Sequence, residues 1–428
     1  MKFKLTTLLA AAGLASTASA NEGLYYVGSE AQESLPLKWT VGADLTWDSN
    51  VTPGQLLPGR APASPTNPLG LGPAPEEEAF SIGAYVGLSF VNITPQQTLD
   101  VYAKLGVLYY LDSPSTLSED WFPQGRVGVN WTRRFSERLR FSSRNFVAYE
   151  LEPVYAYGFA SSRQVDPYLF WETDNSIGYR WTERFATYSG FRLRGLDYDS
   201  AVANQDRFTW ELYQQLRYQL TPLTVLTFDY RYADTDANGT AADSTSHFLL
   251  GGVEHRFSPN TIMILRAGAQ IRQTDALFGS DGTNPFAEIA LRSQVNEQFS
   301  VRAFARYSSE VYDTTRFVSG LGSVNFDDRR TLRLGLSAEY KITPRFSVYG
   351  GLDYIPTSFD DGRLVGAAPG VGASGLEEDL LNVYVGASVQ LTETLYGTVS
   401  YNYTDSSSDF LGYDYDRSRV NLGVRAEF

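Results

Sequence analysis

No cysteine occurs anywhere in the 428 residues, and histidine is reduced to His247 and His255. A disulfide-stapled scaffold, a thiolate nucleophile and a Cys/His metal centre are therefore excluded, and transition-metal chemistry has almost nothing to work with. Lysine is nearly absent as well: Lys2, Lys4, Lys38, Lys104 and Lys341 leave 30 of the 35 basic residues as arginine. Forty-nine acidic residues outnumber them, giving a net charge of −14. An acidic chain lacks the clustered positive charge that phosphate backbones require, which argues against nucleic acid as a partner. Nor is there an apolar run of the roughly 20 residues needed to span a bilayer as a helix.

The longest apolar stretch lies at the very start. Lys2 and Lys4 precede an apolar core from Leu5 to Leu14, and Ala18-Ser19-Ala20 fits a small-x-small cleavage site, so residues 1–20 read as a secretory signal peptide. Cleavage near Ala20 leaves a chain beginning at Asn21, and losing Lys2 and Lys4 takes the net charge to −16.

What the chain has in quantity is aromatic residues (28 Tyr, 25 Phe, 7 Trp) and a two-residue alternation. In the closing segment Val420, Leu422, Val424, Ala426 and Phe428 alternate with Arg419, Asn421, Gly423, Arg425 and Glu427. The same pattern sets Leu332, Leu334 and Leu336 against Arg333 and Ser337, and Leu381, Val383 and Val385 against Asn382 and Ser388. One apolar and one wet face on every strand suits a barrel with lipid outside and water inside. Segment 245–257, with Phe248-Leu249-Leu250-Gly251-Gly252, does not declare its faces.

A short triad punctuates this alternation eight times: Ile93-Thr94-Pro95, Phe135-Ser136-Glu137, Trp181-Thr182-Glu183, Leu220-Thr221-Pro222, Phe257-Ser258-Pro259, Val295-Asn296-Glu297, Ile342-Thr343-Pro344 and Leu391-Thr392-Glu393. Each is an apolar residue, a hydroxyl or amide residue, then Pro or Glu, which is turn chemistry. Longer acidic, Gly/Asp/Ser-rich segments lie between them. Short turns alternating with long loops predict an all-β fold: a transmembrane antiparallel β-barrel of about 18 strands (16 to 18), with short periplasmic turns and long extracellular loops. The expected layout is a signal peptide over 1–20, a short periplasmic segment over 21–36 and the barrel over 37–428. A large soluble β-sandwich array or a secreted β-helix is the competing reading, but neither would place aromatics such as Trp121, Trp131, Trp181 and Tyr415 at strand ends. Residues 52–79, rich in proline, and 358–378, rich in glycine, are expected neither to pair as strands nor to pack as helices, and to stand exposed.

No catalytic residues, metal ligands or cofactors emerge from this pattern. Gly370-Val371-Gly372-Ala373-Ser374-Gly375 matches a dinucleotide-binding string, but it sits in a loop rather than between a buried strand and a helix. His247 and His255 read as rim residues. Acidic groups such as Glu76-Glu77-Glu78 and Glu377-Glu378-Asp379 either form a solvated rim or bridge through divalent ions to lipopolysaccharide.

Arginine placement is the sharper signal. Strand parity turns Arg126, Arg140, Arg144, Arg192, Arg194, Arg217, Arg231, Arg266, Arg272, Arg292, Arg302, Arg306, Arg333, Arg419 and Arg425 inward, with fewer acids: Glu211, Asp229, Glu288, Glu339 and Glu427. A lipid-facing arginine would cost roughly 2–4 kcal/mol at the midplane, so energetics favours the same side. These are the candidate pore-lining residues. Their guanidinium groups either pair with the carboxylates as structural ladders or hold anions in a wet channel.

Trp47-Asp48-Ser49-Asn50-Val51, at the end of the first expected strand, resembles the signature near the start of outer-membrane proteins of the β-barrel porin-2 type. The overall layout is similar too, down to the terminal Phe428, the aromatic end that serves outer-membrane barrels as an assembly signal. The resemblance implies integral residence in a bacterial outer membrane and, from relatives associated with exopolysaccharide production, a role in polysaccharide export. Eighteen strands enclose an aqueous bore. The function expected is passive diffusion of small hydrophilic solutes, with anion preference. The alternatives are an exit barrel for exopolysaccharide, with inward rings such as Tyr213, Phe304 and Tyr384 as stacking surfaces, or a structural or adhesive barrel with a blocked lumen. Expected partners are outer-membrane lipid and lipopolysaccharide, the barrel-assembly machinery and periplasmic chaperones, and either further copies of the chain or export components. No strand in the sequence declares an oligomer wall.

Overall fold

A computed structural model of the chain describes residues 34–428 apart from 55, 116, 118, 152–165, 200–205, 239–242, 276–280, 311–314 and 365–371. The expected signal peptide, its cleavage site and residues 21–33 lie outside the described residues, as do Gly370 and Val371. Twenty strands join in one sheet. Two of them, Thr315–Val318 and Gly372–Ala373, are short additions, and the other eighteen form the wall. The first wall strand, Leu35–Asp48, pairs antiparallel with Ala79–Ile93 on one side and with the last strand, Tyr415–Glu427, on the other. The sheet thus closes on itself and leaves no edge, the only way a sheet can sit in lipid.

Burial follows the alternation in the sequence. Val41, Val86 and Leu105 are all more than half exposed on the outer surface. Residues of the opposite parity on the same strands, such as Asp44, Lys104 and Tyr85, lie on the inner face. A one-residue slip would exchange the two faces, so the register is held by the whole apolar band.

All eight triads close turns in the same way, because their middle residue accepts a backbone N–H just ahead. Thr94 takes it from Gln97, Ser136 from Leu139, Thr182 from Phe185, Asn296 from Phe299 and Thr392 from Leu395, at 2.8–3.1 Å. Thr221, Ser258 and Thr343 reach one residue less far, to Leu223, Asn260 and Arg345, at 3.2–3.3 Å. The third residue accounts for most of the difference. Proline follows in these last three, where its fixed φ favours a two-residue turn, and glutamate follows in the four turns of four residues; Thr94, although Pro95 follows it, closes a three-residue turn over 94–96.

Two expectations about loops are corrected. The proline-rich segment contains a small hairpin, Leu56–Leu57 against Gly72–Pro73, and it lies across the extracellular mouth. There the Thr66 carbonyl occupies the space a side chain on Gly322 would need, and Leu56 does the same at Gly412. Both glycines have positive φ, at 100° and 74°. The glycine-rich segment extends the wall: strands Gly322–Thr343 and Phe346–Leu364 pair as far as Val324 and Leu364, and Gly372–Ala373 adds to the second. The driving force is apolar packing. Val324, Phe326, Phe359 and Phe410 form a fully buried cluster there, with ring contacts at 4.9–5.6 Å between centroids.

Candidate functional site: the barrel interior

The inner face is layered. At the extracellular end the strands turn apolar side chains inward. One cluster is Val51, Ala79, Tyr110, Phe122 and Leu151, a second is Ala148, Tyr168, Phe170, Leu196 and Tyr198, and the third lies beneath the extended hairpin. Within this third cluster Arg316 is buried against the faces of Phe359 and Tyr413, each 5.0 Å away, and pairs with Glu378 at 3.4 Å. Rings and an ion pair thereby tie the extracellular loops into one cap.

Below the cap runs a belt of charge. Arg126 donates to Glu150 at 3.0 Å. Arg144 and Arg194 share Glu172, at 3.7 and 2.8 Å. Arg192 bridges Asp174 and Glu211, at 2.6 and 3.1 Å, and Tyr213 donates to the other oxygen of Asp174. Arg217 pairs with Glu254. Arg266 lies between Asp229 and Glu288, at 3.0 and 3.5 Å, with Arg231 also on Glu288. Arg306, Arg329 and Arg333 converge on Glu310, at 3.5, 3.5 and 2.8 Å. Arg425 pairs with Glu427, and Arg419 donates to Asn402. Arg140, Arg272, Arg292, Arg302 and Glu339 occupy the same inner face by register.

The structure thus brings the sequence-derived arginines together with more carboxylates than parity had found: Glu150, Glu172, Asp174, Glu254 and Glu310 were missed. Glu172 and Asp174 lie in Tyr168–Arg180, whose other face carries Thr173 and Asn175, so alternation alone gave no direction. Four pairs of cations nevertheless face each other directly across the ladder: Lys104 with Arg126, Arg134 with Arg140, Arg292 with Arg302, and Arg306 with Arg333. Like charges in this position repel. Among the described residues of the inner wall, no two carboxylates are so placed.

Inward rings lie flat on the wall because a glycine stands opposite each. Tyr85 covers Gly42, Tyr102 covers Gly128, Tyr213 covers Gly190 and Tyr349 covers Gly386. Phe304 and Tyr384 cover Gly335 and Gly351 in the same manner. The atoms nearest a β-carbon at Gly128 or Gly386 all belong to the facing ring. Gly128→Ala or Gly386→Ala is therefore expected to swing that ring into the bore and lower single-channel conductance, with a stability loss of about 1–3 kcal/mol; unchanged conductance would show that the rings stand clear of the solute path.

The pentapeptide Trp47–Val51 has a structural task at the rim. Asp48 is buried and receives Nε of Arg417 at 2.9 Å, with a second guanidinium nitrogen on its other oxygen, and it also accepts the Asn50 backbone N–H at 3.1 Å. Ser49 exchanges two hydrogen bonds with Ser418, Asn50 reaches the Asp416 carbonyl and Val51 enters the first apolar cluster. At the periplasmic end Trp39 and Phe428 exchange backbone hydrogen bonds of 3.0 and 2.9 Å. First and last strands are thus fastened at both ends.

Residues 263–428, less than half of the chain, match the family described as outer membrane protein beta-barrel domain. No curated protein matches the chain. Among solved structures it is similar to OccAB4 of Acinetobacter baumannii, at 12% identity and a TM-score of 0.43, over 92% of this chain and 99% of that one. The outer membrane protein opdK of Pseudomonas aeruginosa gives 13% and 0.43 over the same shares. The FrpB iron transporter of Neisseria meningitidis gives 13% and 0.40, over 96% of this chain and 83% of that one. A closed wall of eighteen strands with an apolar outer band and a charged interior is the architecture of a transmembrane β-barrel, and its C-terminal part, residues 263–428, is similar to the outer membrane protein beta-barrel domain.

Proposed function

We propose that the barrel is a passive channel for small hydrophilic solutes and that it prefers anions. Wall size supports the first part, since barrels of 16–18 strands leave an aqueous bore. The observation that carries the second is the set of cross-strand cation pairs, Lys104–Arg126, Arg134–Arg140, Arg292–Arg302 and Arg306–Arg333. Arginines also outnumber the carboxylates they share, as where Arg306, Arg329 and Arg333 converge on the single Glu310, so net positive charge remains on the inner wall, and low-dielectric walls focus it along the axis. The pore-lining residues of this reading are the inward arginines and Glu211, Asp229, Glu288 and Glu339. Export through a signal peptide cleaved near Ala20, assembly by chaperones and the barrel-assembly machinery, and lipopolysaccharide around the rim belong to the same reading. The rings that could have served a sliding glycan, Tyr213, Phe304 and Tyr384, are laid over glycines, which favours wall filling over a sugar track.

The reversal potential of the purified protein in a planar bilayer under a potassium chloride gradient tests the preference. A potential of the sign set by chloride is expected. A potential set by potassium would overturn it.

A further inference from the structure

One sector of the outer surface breaks the apolar rule. Leu139–Glu150, Tyr168–Arg180, Phe185–Tyr198 and Arg207–Thr221 are four consecutive wall strands. At mid-depth on their lipid side stand Ser143, Asn145, Thr173, Asn175, Ser189 and Gln214. Across the other described strands the same band holds only apolar, glycine or tyrosine residues, such as Val41 with Ala43, Ala267 with Ala269, and Val383 with Val385.

Four of the six residues form a closed ring. Ser143 Oγ donates to Asn175 Oδ1 at 2.6 Å, Asn175 Nδ2 to Thr173 Oγ1 at 2.7 Å, Thr173 Oγ1 to Asn145 Oδ1 at 2.7 Å, and Asn145 Nδ2 to Ser143 Oγ at 3.0 Å. Beside it Ser189 donates to Gln214 Oε1. Each asparagine amide spends one N–H in the ring, and Gln214 spends neither. The second N–H of Asn145, that of Asn175 and both of Gln214 meet no partner among the described residues. In hydrocarbon each such group is left without the hydrogen bond that water would have given it.

From this we propose that these four strands are the contact face between copies of this chain, arranged by rotation about the membrane normal. Rotation about that axis preserves depth. A second copy therefore brings its own amides, hydroxyls and spare carbonyl lone pairs to the same level in the bilayer, and each amide is both donor and acceptor. A lipid chain offers neither, and an unrelated protein would have to place matching acceptors at this level independently. Closed rotational assembly is also the commonest form of homo-oligomer. The inference goes beyond the channel reading and does not depend on whether the bore conducts.

A photo-crosslinking residue introduced at position 145, with a control at position 422 on the far wall, tests it in intact outer membranes. Illumination is expected to give an adduct of two chains from position 145 and none from 422. Native mass measurement of the detergent-purified protein is expected to give a multiple of the chain mass, reduced to a single chain by Asn145→Leu with Asn175→Leu and Gln214→Leu. These substitutions face lipid and leave the ion belt intact, and retention of the folded gel band checks the barrel. A crosslink to a different protein, or a single-chain mass for the unaltered protein together with no two-chain adduct, would overturn the proposal.

Discussion

Asp48→Ala loosens the barrel at its seam: the urea midpoint is expected to fall by an amount corresponding to about 3–5 kcal/mol, the usual cost of removing one partner of a buried ion pair. The reason lies in what Asp48 holds. Its carboxylate takes the Arg417 guanidinium across 369 positions of sequence and caps the Asn50 backbone N–H just past the end of its own strand. Removing it leaves a buried guanidinium uncompensated where Leu35–Asp48 meets Tyr415–Glu427, the one wall pairing that joins the two ends of the sheet. Replacing both partners, as Asp48→Leu with Arg417→Leu, is expected to recover much of the loss, because no charge is then stranded. Tryptophan fluorescence in urea and the heat-dependent shift of the folded band both report it. An Asp48→Ala midpoint equal to the unaltered protein's would mean that backbone pairing alone fastens the seam.

The second large effect concerns selectivity. Arg292→Glu with Arg302→Glu replaces a facing pair of cations with a facing pair of anions on the inner wall, a change of four charges at one level. The reversal potential under a salt gradient is expected to change sign, while Arg292→Gln with Arg302→Gln only weakens the preference. Both pairs of substitutions avoid Glu310 and Asp174, on which the belt is organised, so folding should survive. A chloride-set potential in the double glutamate variant would place the selectivity elsewhere in the bore.

Much of this fold could be read in the chain, for physical reasons. Eight triads announced eight turns because a hydroxyl or amide ahead of a free backbone N–H is local chemistry. Strand faces such as Leu332–Ile342 or Val420–Phe428 were readable because lipid tolerates only one of the two sets. The inward arginines came from the same rule. Parity failed where both faces are polar, as in Tyr168–Arg180, and there the carboxylates that neutralise Arg192 and Arg194 were missed. That failure and the oligomer face have one origin: Thr173 and Asn175 make the outer side of that strand polar. Pairings between distant positions, such as Asp48 with Arg417 or Arg316 with Glu378, leave no local trace. Glycine and proline counts misjudged the long loops, because Phe326, Phe359 and Phe410 pack the extended hairpin despite its glycines.

The central claim is a water-filled path from the extracellular mouth, past the apolar cap and through the arginine belt. Single-channel recording of the purified, unaltered protein in a planar bilayer tests it most directly. Discrete, reproducible conductance steps at low voltage are expected, smaller in Gly386→Ala. An inserted, folded barrel that passes no current would contradict the account and make the capped interior a closed structure.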